Sequence, residues 1–241
     1  MTDKEIRETI KHKFISPRYT DNLLADNFPC AYLGRFFSAW FIRHDVTPNF
    51  VTMLMIAFGI IGSILFALPC IACKIAGYLC WIMWYTMDNS DGQVARYTKK
   101  FSRYGSHMDF MAHLIDHPFM TIAIWLTFLQ IDYSAIFTVS IFTLIVISCE
   151  MLLRNITSFQ FQIKKDDNKS ETATNQPGFV KYMFIQFTLF PNIIVLFSWI
   201  IILDYWLKSG FSLYIFYGWA VYFTACAARM AWHMLMKFYK S

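Results

Sequence analysis

Runs of about twenty apolar residues recur six times along the chain, near 49–68, 71–90, 107–130, 133–153, 179–204 and 211–233. A bilayer core needs a run of that length to be crossed by one helix, because only a helix satisfies its own backbone hydrogen bonds in hydrocarbon. Composition agrees: 57% hydrophobic and 19% aromatic residues against 15% charged is not the balance of a soluble domain of 241 residues. The breaks between runs carry turn or polar residues, namely Pro69, the stretch from Tyr97 to Arg103, Asp132 to Ser134, the polar stretch 163–177, and Lys208 to Gly210.

Lysine and arginine fall unevenly around these runs. Seven lie between Lys4 and Arg43, four between Arg96 and Arg103, five between Arg154 and Lys181 and two in the tail, whereas the other side receives only Lys74 and Lys208. Short loops rich in these residues stay cytoplasmic, so both termini are expected there. The first twenty residues are charged and lack the apolar run of a cleavable signal. The net charge of +5 thus reads as topology and lipid-surface attraction, and nucleic acid is not an expected partner. Ahead of the first run, Leu33, Phe36, Phe37, Trp40 and Phe41 recur at helical spacing with Arg35 and Arg43 between them, which predicts an amphipathic helix lying in the membrane interface. The expected organisation is an N-terminal segment, 1–48, and a six-helix membrane domain, 49–241. Cys70 and Cys73 form a lone CxxC with no second pair, and read as small packing residues.

One stretch does not fit an apolar chain: "MDNSDGQVARYTKKFSRYGSHMDFMAHLID", Met87 to Asp116. An aspartate within a membrane helix is costly and marks function. Asp88 and Asp91, three apart, share one helix face, as do Asp109 and His113, four apart. Two antiparallel helices with a short link would bring these faces together, giving hard oxygen ligands for Mg²⁺ or Mn²⁺ together with substrate phosphates. Gly92, Ala95 and Gly105 let a helix or a bulky ligand approach the backbone, and Arg96, Lys99, Lys100 and Arg103 stand ready for phosphates.

In full the stretch reads Asp88-x2-Asp91-Gly92-x2-Ala95-Arg96-x8-Gly105-x3-Asp109. This resembles the signature of the CDP-alcohol phosphotransferase family, D-x2-D-G-x2-A-R-x8-G-x3-D-x3-D, in seven positions without insertion. At the eighth, His113 stands where the family has its fourth aspartate, and the next carboxylate is Asp116. "TPNFVT", Thr47 to Thr52, looks like the beginning of the family's first span. The resemblance implies that Asp88, Asp91 and Asp109 bind a pair of divalent ions. It implies that Asn49, Gly92, Ala95 and Gly105 border the CDP moiety, and that Arg96 and its basic neighbours receive phosphate. It also implies transfer of a substituted phosphoryl group from a CDP-linked donor to an alcohol acceptor with release of CMP, at least one substrate being a lipid, and a homodimer in the cell membrane.

His113 would take the place of the family's base, since an imidazole abstracts a proton well near neutral pH. Asp116, three residues on, is expected to orient it by a hydrogen bond. His107 and His117 receive no role. A packing histidine at 113, and a family member that binds CDP compounds without turnover, are the competing readings. A transporter is a third, opposed by the lack of acids in the far half of spans one, two and six. Placing the loop after the fourth span on the cytoplasmic side makes a prediction: a single accessible cysteine introduced within 165–172 is labelled from the cytoplasmic side only, as thiol labelling of intact and inverted vesicles would show.

Overall fold

The computed structural model describes residues 3–13, 30–166 and 179–239. Among these there are helices and no strands: α1 (Asp3–Lys13), α2 (Ala31–Arg43), α3 (Pro48–Ala67), α4 (Ile71–Thr98), α5 (Gly105–Ile131), α6 (Ile136–Asp166), α7 (Phe179–Gln186), α8 (Phe190–Leu207) and α9 (Phe211–Tyr239). Five stretches, Pro48–Ala67, Gly105–Ile131, Tyr133–Gln160, Phe190–Leu207 and Phe211–Tyr239, are long and apolar enough to cross a membrane. The protein is therefore an all-α membrane protein. Helix α4 is 28 residues long but carries Lys74, Asp88, Asp91 and Arg96, and is not among the five.

Lipid is as apolar as a leucine side chain, so membrane helices associate through close packing and hydrogen bonds rather than through burial from water. Helices α3 and α4 show this at Gly62 and Gly77. A Cβ on Gly77 would lie 2.6 Å from the Gly62 carbonyl oxygen and 2.6 Å from the Phe66 nitrogen, so two backbones touch there. One turn on, the rings of Phe66 and Trp81 stack at 4.4 Å. The contact extends to α5 at the far end of α3. Buried Lys74 donates to the Phe66 carbonyl at 2.8 Å and to Thr127 Oγ1 at 2.9 Å, and Gln130 Nε2 donates to the Ala67 carbonyl at 2.7 Å. The last carbonyls of a helix have no partner within it, and these side chains satisfy them. Lys74, counted in the sequence among the charges of the non-cytoplasmic side, is thus an interior clasp. Cys70, expected to pack, is exposed at the N-cap of α4.

The expected span 179–204 is two helices. Pro191 has no N–H for the Phe187 carbonyl, and Leu189 turns extended ahead of it. Side chains cover the carbonyls released: Asn192 Nδ2 donates to Gln186 O at 2.9 Å, Trp219 Nε1 to Phe187 O at 3.0 Å and the Tyr222 hydroxyl to Phe184 O at 2.7 Å. Beside this break α8 and α9 leave an apolar cavity of about 430 Å³.

The amphipathic helix is present as α2. It rests on α4 through small residues: Gly34 lies over Asn89, and Ser38 donates to Gln93 Oε1 at 2.8 Å. Phe36 and Trp40 remain about half exposed on the opposite side. Helix α1, which the sequence pattern did not single out, lays Ile6 and Ile10 against Ala39. The predicted polar loop 163–177 begins as the end of α6, and its part beyond Asp166 lies outside the described residues.

If the glycine contact is what joins α3 to α4, Gly77→Val costs about 1–3 kcal/mol of stability through overpacking. Gly218→Ala, where an added Cβ meets nothing within 4 Å, costs none. Thermal unfolding in detergent compares the two.

Candidate active site

Helix α4 ends with Lys99 in the left-handed conformation, φ 56°, which stops the helix and turns the chain. The chain reverses within residues 99–104 and α5 begins at Gly105. The last turns of α4 therefore face the first turns of α5, as the short link predicts. His113 Nε2 lies 3.2 Å from Asp88 Oδ1 and 3.5 Å from Asp109 Oδ1. Ligand atoms from Asp88, Asp109 and His113 all fall within 4.8 Å of one another. The Asp109 side chain is 46% exposed, Asp88 21% and His113 11%, so the cluster opens past Asp109 and closes behind the imidazole.

Asp91 stands one turn from Asp88 and is held by α3, whose Thr52 hydroxyl donates to Asp91 Oδ2 at 2.7 Å. Asn49, three residues before Thr52 on the same face of α3, is half-buried. Gly92 lies under the Arg96 guanidinium, since a Cβ there would be 3.0 Å from Arg96 Nη1. Ala95 is half-buried beside them. A Cβ on Gly105 would touch only Ser102, at an ordinary 3.6 Å, so protein packing leaves space there. Of the basic residues, Lys100 pairs with Asp45 at 2.6 Å and Arg103 lies over the Tyr104 ring at 5.4 Å.

The electrostatics of the cluster are one-sided. Two carboxylates converge with one imidazole and a third, Asp91, stands one turn from Asp88; at 3.2 Å an imidazole lone pair and a carboxylate oxygen repel unless a proton or a cation lies between them. Carboxylates are the ligands that Mg²⁺ and Mn²⁺ prefer, and a single nitrogen among them is compatible with Mn²⁺ as well. The donor set fits a divalent cation.

Behind His113 the structure departs from expectation. The expected hydrogen bond from His113 to Asp116 is not formed. Asp116 sits against Gly59 of α3, where an added Cβ would come within 2.5 Å, and its Oδ2 accepts from Trp84 Nε1 at 2.8 Å. A residue three positions on is rotated about 60° from His113 around the helix, which turns Asp116 toward α3 and α4. The residue four positions on is aligned: His113 Nδ1 lies 3.3 Å from Nε2 of buried His117. His117 Nδ1 lies 2.7 Å from Glu150 Oε1 of α6, which also accepts from Arg154 Nε at 3.0 Å. Phe190 stacks on the His117 ring at 3.8 Å. Sequence reasoning missed His117, Glu150, Arg154 and Thr52. A signal for two of them was present: Glu150 and Arg154 form an i,i+4 ion pair in an otherwise apolar span.

The sequence model of the CDP-alcohol phosphatidyltransferase family matches residues 45–233, which include every residue of this cluster. The chain belongs to that family. A comparison with curated proteins finds no match. Membership makes a transferase acting on a CDP-alcohol the general class of this CDP-alcohol phosphatidyltransferase relative, with a possible divalent-metal site where the carboxylates meet.

The geometry separates ligands from bystanders. Asp88→Asn and Asp109→Asn should each weaken Mn²⁺ binding by about tenfold or more, since each removes a charged oxygen donor. Asp116→Asn, turned onto Trp84, should leave it within twofold. Electron paramagnetic resonance titration of the purified protein with Mn²⁺ reads all three.

Proposed function

We propose that the protein is a metal-dependent CDP-alcohol phosphotransferase of phospholipid or glycolipid synthesis. It moves a substituted phosphoryl group from a CDP-linked donor to an alcohol and releases CMP. The observation that carries this reading is the convergence of Asp88, Asp109 and His113 at the mouth of the α4–α5 hairpin, with Asp91 one turn away. Asp88, Asp91 and Asp109 would hold Mg²⁺ or Mn²⁺, in a pair of ions. Bound there, the metal supplies charge neutralisation of the pyrophosphate and of the departing CMP.

The chain's own residues supply the rest. Thr52 fixes Asp91 Oδ2, which settles where its other oxygen points. The uncrowded backbone at Gly105, with Gly92, Ala95 and Asn49 around it, takes the CDP moiety. Exposed Arg96 lies on the same side as the carboxylates and meets phosphate. His113 Nε2, at the inner edge of the cluster, accepts the proton of the acceptor hydroxyl, which makes that oxygen a nucleophile. The 3.2 Å separation of Nε2 from Asp88 favours an alternative use of the same lone pair, that of a third metal ligand. Asp116 acts through Trp84 and Gly59 to seat α5 on α3. With α4 crossing beside α3 the chain has six spans, both termini are cytoplasmic, and the charged end faces the cytosol where CDP compounds are soluble. The lipid substrate reaches the site sideways from the bilayer.

The test is release of CMP by purified protein with Mg²⁺ or Mn²⁺, offered CDP-diacylglycerol, CDP-choline, CDP-ethanolamine and CDP-glycerol with lipid extracts. One donor is expected to react; failure of all of them would sink the reading, and binding without turnover would mark a member that has lost catalysis. His113→Ala is expected to lower turnover by about 10²- to 10⁴-fold at saturating substrate, with His113→Asp retaining part of the rate. Unchanged Mn²⁺ affinity in His113→Ala identifies a base, and weakened affinity a ligand.

A further inference from the structure

We infer that Glu150, Arg154 and His117 form a positioning chain, reaching from α6 into α5, that fixes the tautomer of His113 and keeps its Nε2 lone pair facing the carboxylate cluster. The inference deepens the transferase reading and rests on it only for what His113 does with that lone pair.

The hydrogen bonds run from the α6 ion pair toward the carboxylate cluster. Arginine has five N–H donors and no acceptor. Arg154 Nε is 3.0 Å from Glu150 Oε1, so Glu150 is held as a carboxylate, which only accepts. Glu150 Oε1 is 2.7 Å from His117 Nδ1, so that nitrogen carries the proton. Arg154 Nη2 lies across both ring nitrogens of His117, 3.2 Å from Nδ1 and 3.0 Å from Nε2, so it does not choose between them; the shorter Glu150 contact assigns the proton to Nδ1, and the adjacent guanidinium opposes a second proton on Nε2. A doubly protonated His117 would place a second cation against Arg154 in a site where the ring is fully buried. The lone pair of His117 Nε2 meets His113 Nδ1 at 3.3 Å, so Nδ1 is the donor there. With a divalent cation answering the carboxylates, His113 Nε2 needs no proton of its own, and it faces Asp88 and Asp109 at 3.2 and 3.5 Å.

Packing holds the rings to this geometry. Phe190 stacks on His117 at 3.8 Å and 16° between planes, and Trp84 meets both imidazoles edge-on, with centroids 5.8 and 5.6 Å away. A histidine poised to ligate a metal or take a proton is commonly oriented by a partner on its other nitrogen. Here that partner is a second histidine backed by an ion pair, all from residues outside the motif. Glu150, Arg154 and His117 touch no reacting atom in this scheme and act through His113.

The experiment is ¹⁵N NMR of histidine-labelled protein in nanodiscs with saturating Mg²⁺ and no nucleotide, the His113 signals being assigned by their loss in His113→Gln. In the unsubstituted protein His113 is expected to show a protonated Nδ1 and an unprotonated Nε2. Glu150→Gln removes the one-way acceptor, because an amide can turn its NH₂ toward His117. It should convert His113 to a mixture of tautomers, and lower turnover by about 10- to 100-fold with the donor KM within twofold. A protonated Nε2 on His113 of the unsubstituted protein overturns the inference, and so does an unchanged tautomer in Glu150→Gln. Should the variant fail to fold, the first measurement decides alone. Because the tautomer is read without a CDP compound, absence of CMP release would remove the transferase reading and leave this inference standing on its own result.

Discussion

A charged group in hydrocarbon must be answered by another group, because isolated burial costs several kcal/mol per ion. The arrangement of this protein follows from how its interior charges are answered. Glu150 of α6 has Arg154 one turn along and His117 across the helix interface. Lys74 has no carboxylate, and is satisfied by a helix-end carbonyl and a threonine hydroxyl, with the Tyr205 ring 4.4 Å below it. Asp204 closes the turn between α8 and α9 by accepting from Ser209, Gly210 and Ser212. Among the described residues, only at the α4–α5 hairpin do carboxylates gather with too few donors. That local excess of negative charge makes the hairpin a candidate cation site, whereas the other buried charges are answered within the protein.

Helix α3 links that excess to the rest of the molecule. Its inward face reads Thr52, Met55, Gly59, Gly62 and Phe66, at intervals of three and four residues. Thr52 holds Asp91, Gly59 receives Asp116, Gly62 meets Gly77, and the Phe66 carbonyl accepts from Lys74. One helix face thus carries a contact to the site at one end, a backbone contact in the middle and the lysine clasp at the other. Functional groups mounted on such rigid elements hold their spacing better than groups on loops. Membership of the CDP-alcohol phosphatidyltransferase family fits a scaffold built this way, with the carboxylates on two packed helices.

A histidine at position 113 asks more of its surroundings than a carboxylate would. A carboxylate presents equivalent oxygens whichever way it turns, whereas an imidazole has two distinct nitrogens and must be told which one carries the proton. The ion pair on α6 and the second histidine on α5 meet that requirement. Helix α6 reaches the cluster through these side chains, by way of His117.

Local regularities carried much of this into the sequence. Apolar run length set most of the membrane helices, helical spacing set α2 and its two faces, and the intervals among Asp88, Asp91, Asp109 and His113 put them on facing sides of one hairpin. These follow from the helix repeat and a short link, so no distant contact is needed to read them. The partners of His113 were not legible in the same way. Asp116 is nearer in sequence than Glu150, yet a rotation of about 60° around α5 carries it to Gly59 and Trp84. Glu150 is 33 residues from His117 and meets it only because α5 and α6 pack side by side. The break before Pro191 was visible as a proline, but tertiary contacts from Trp219 and Tyr222 on α9 are what allow its freed carbonyls to sit in an apolar setting. The sequence by itself determined which residues could share a helix face. Which face met which was decided by packing, because glycine contacts and side-chain caps between distant segments set the rotation of each helix about its own axis.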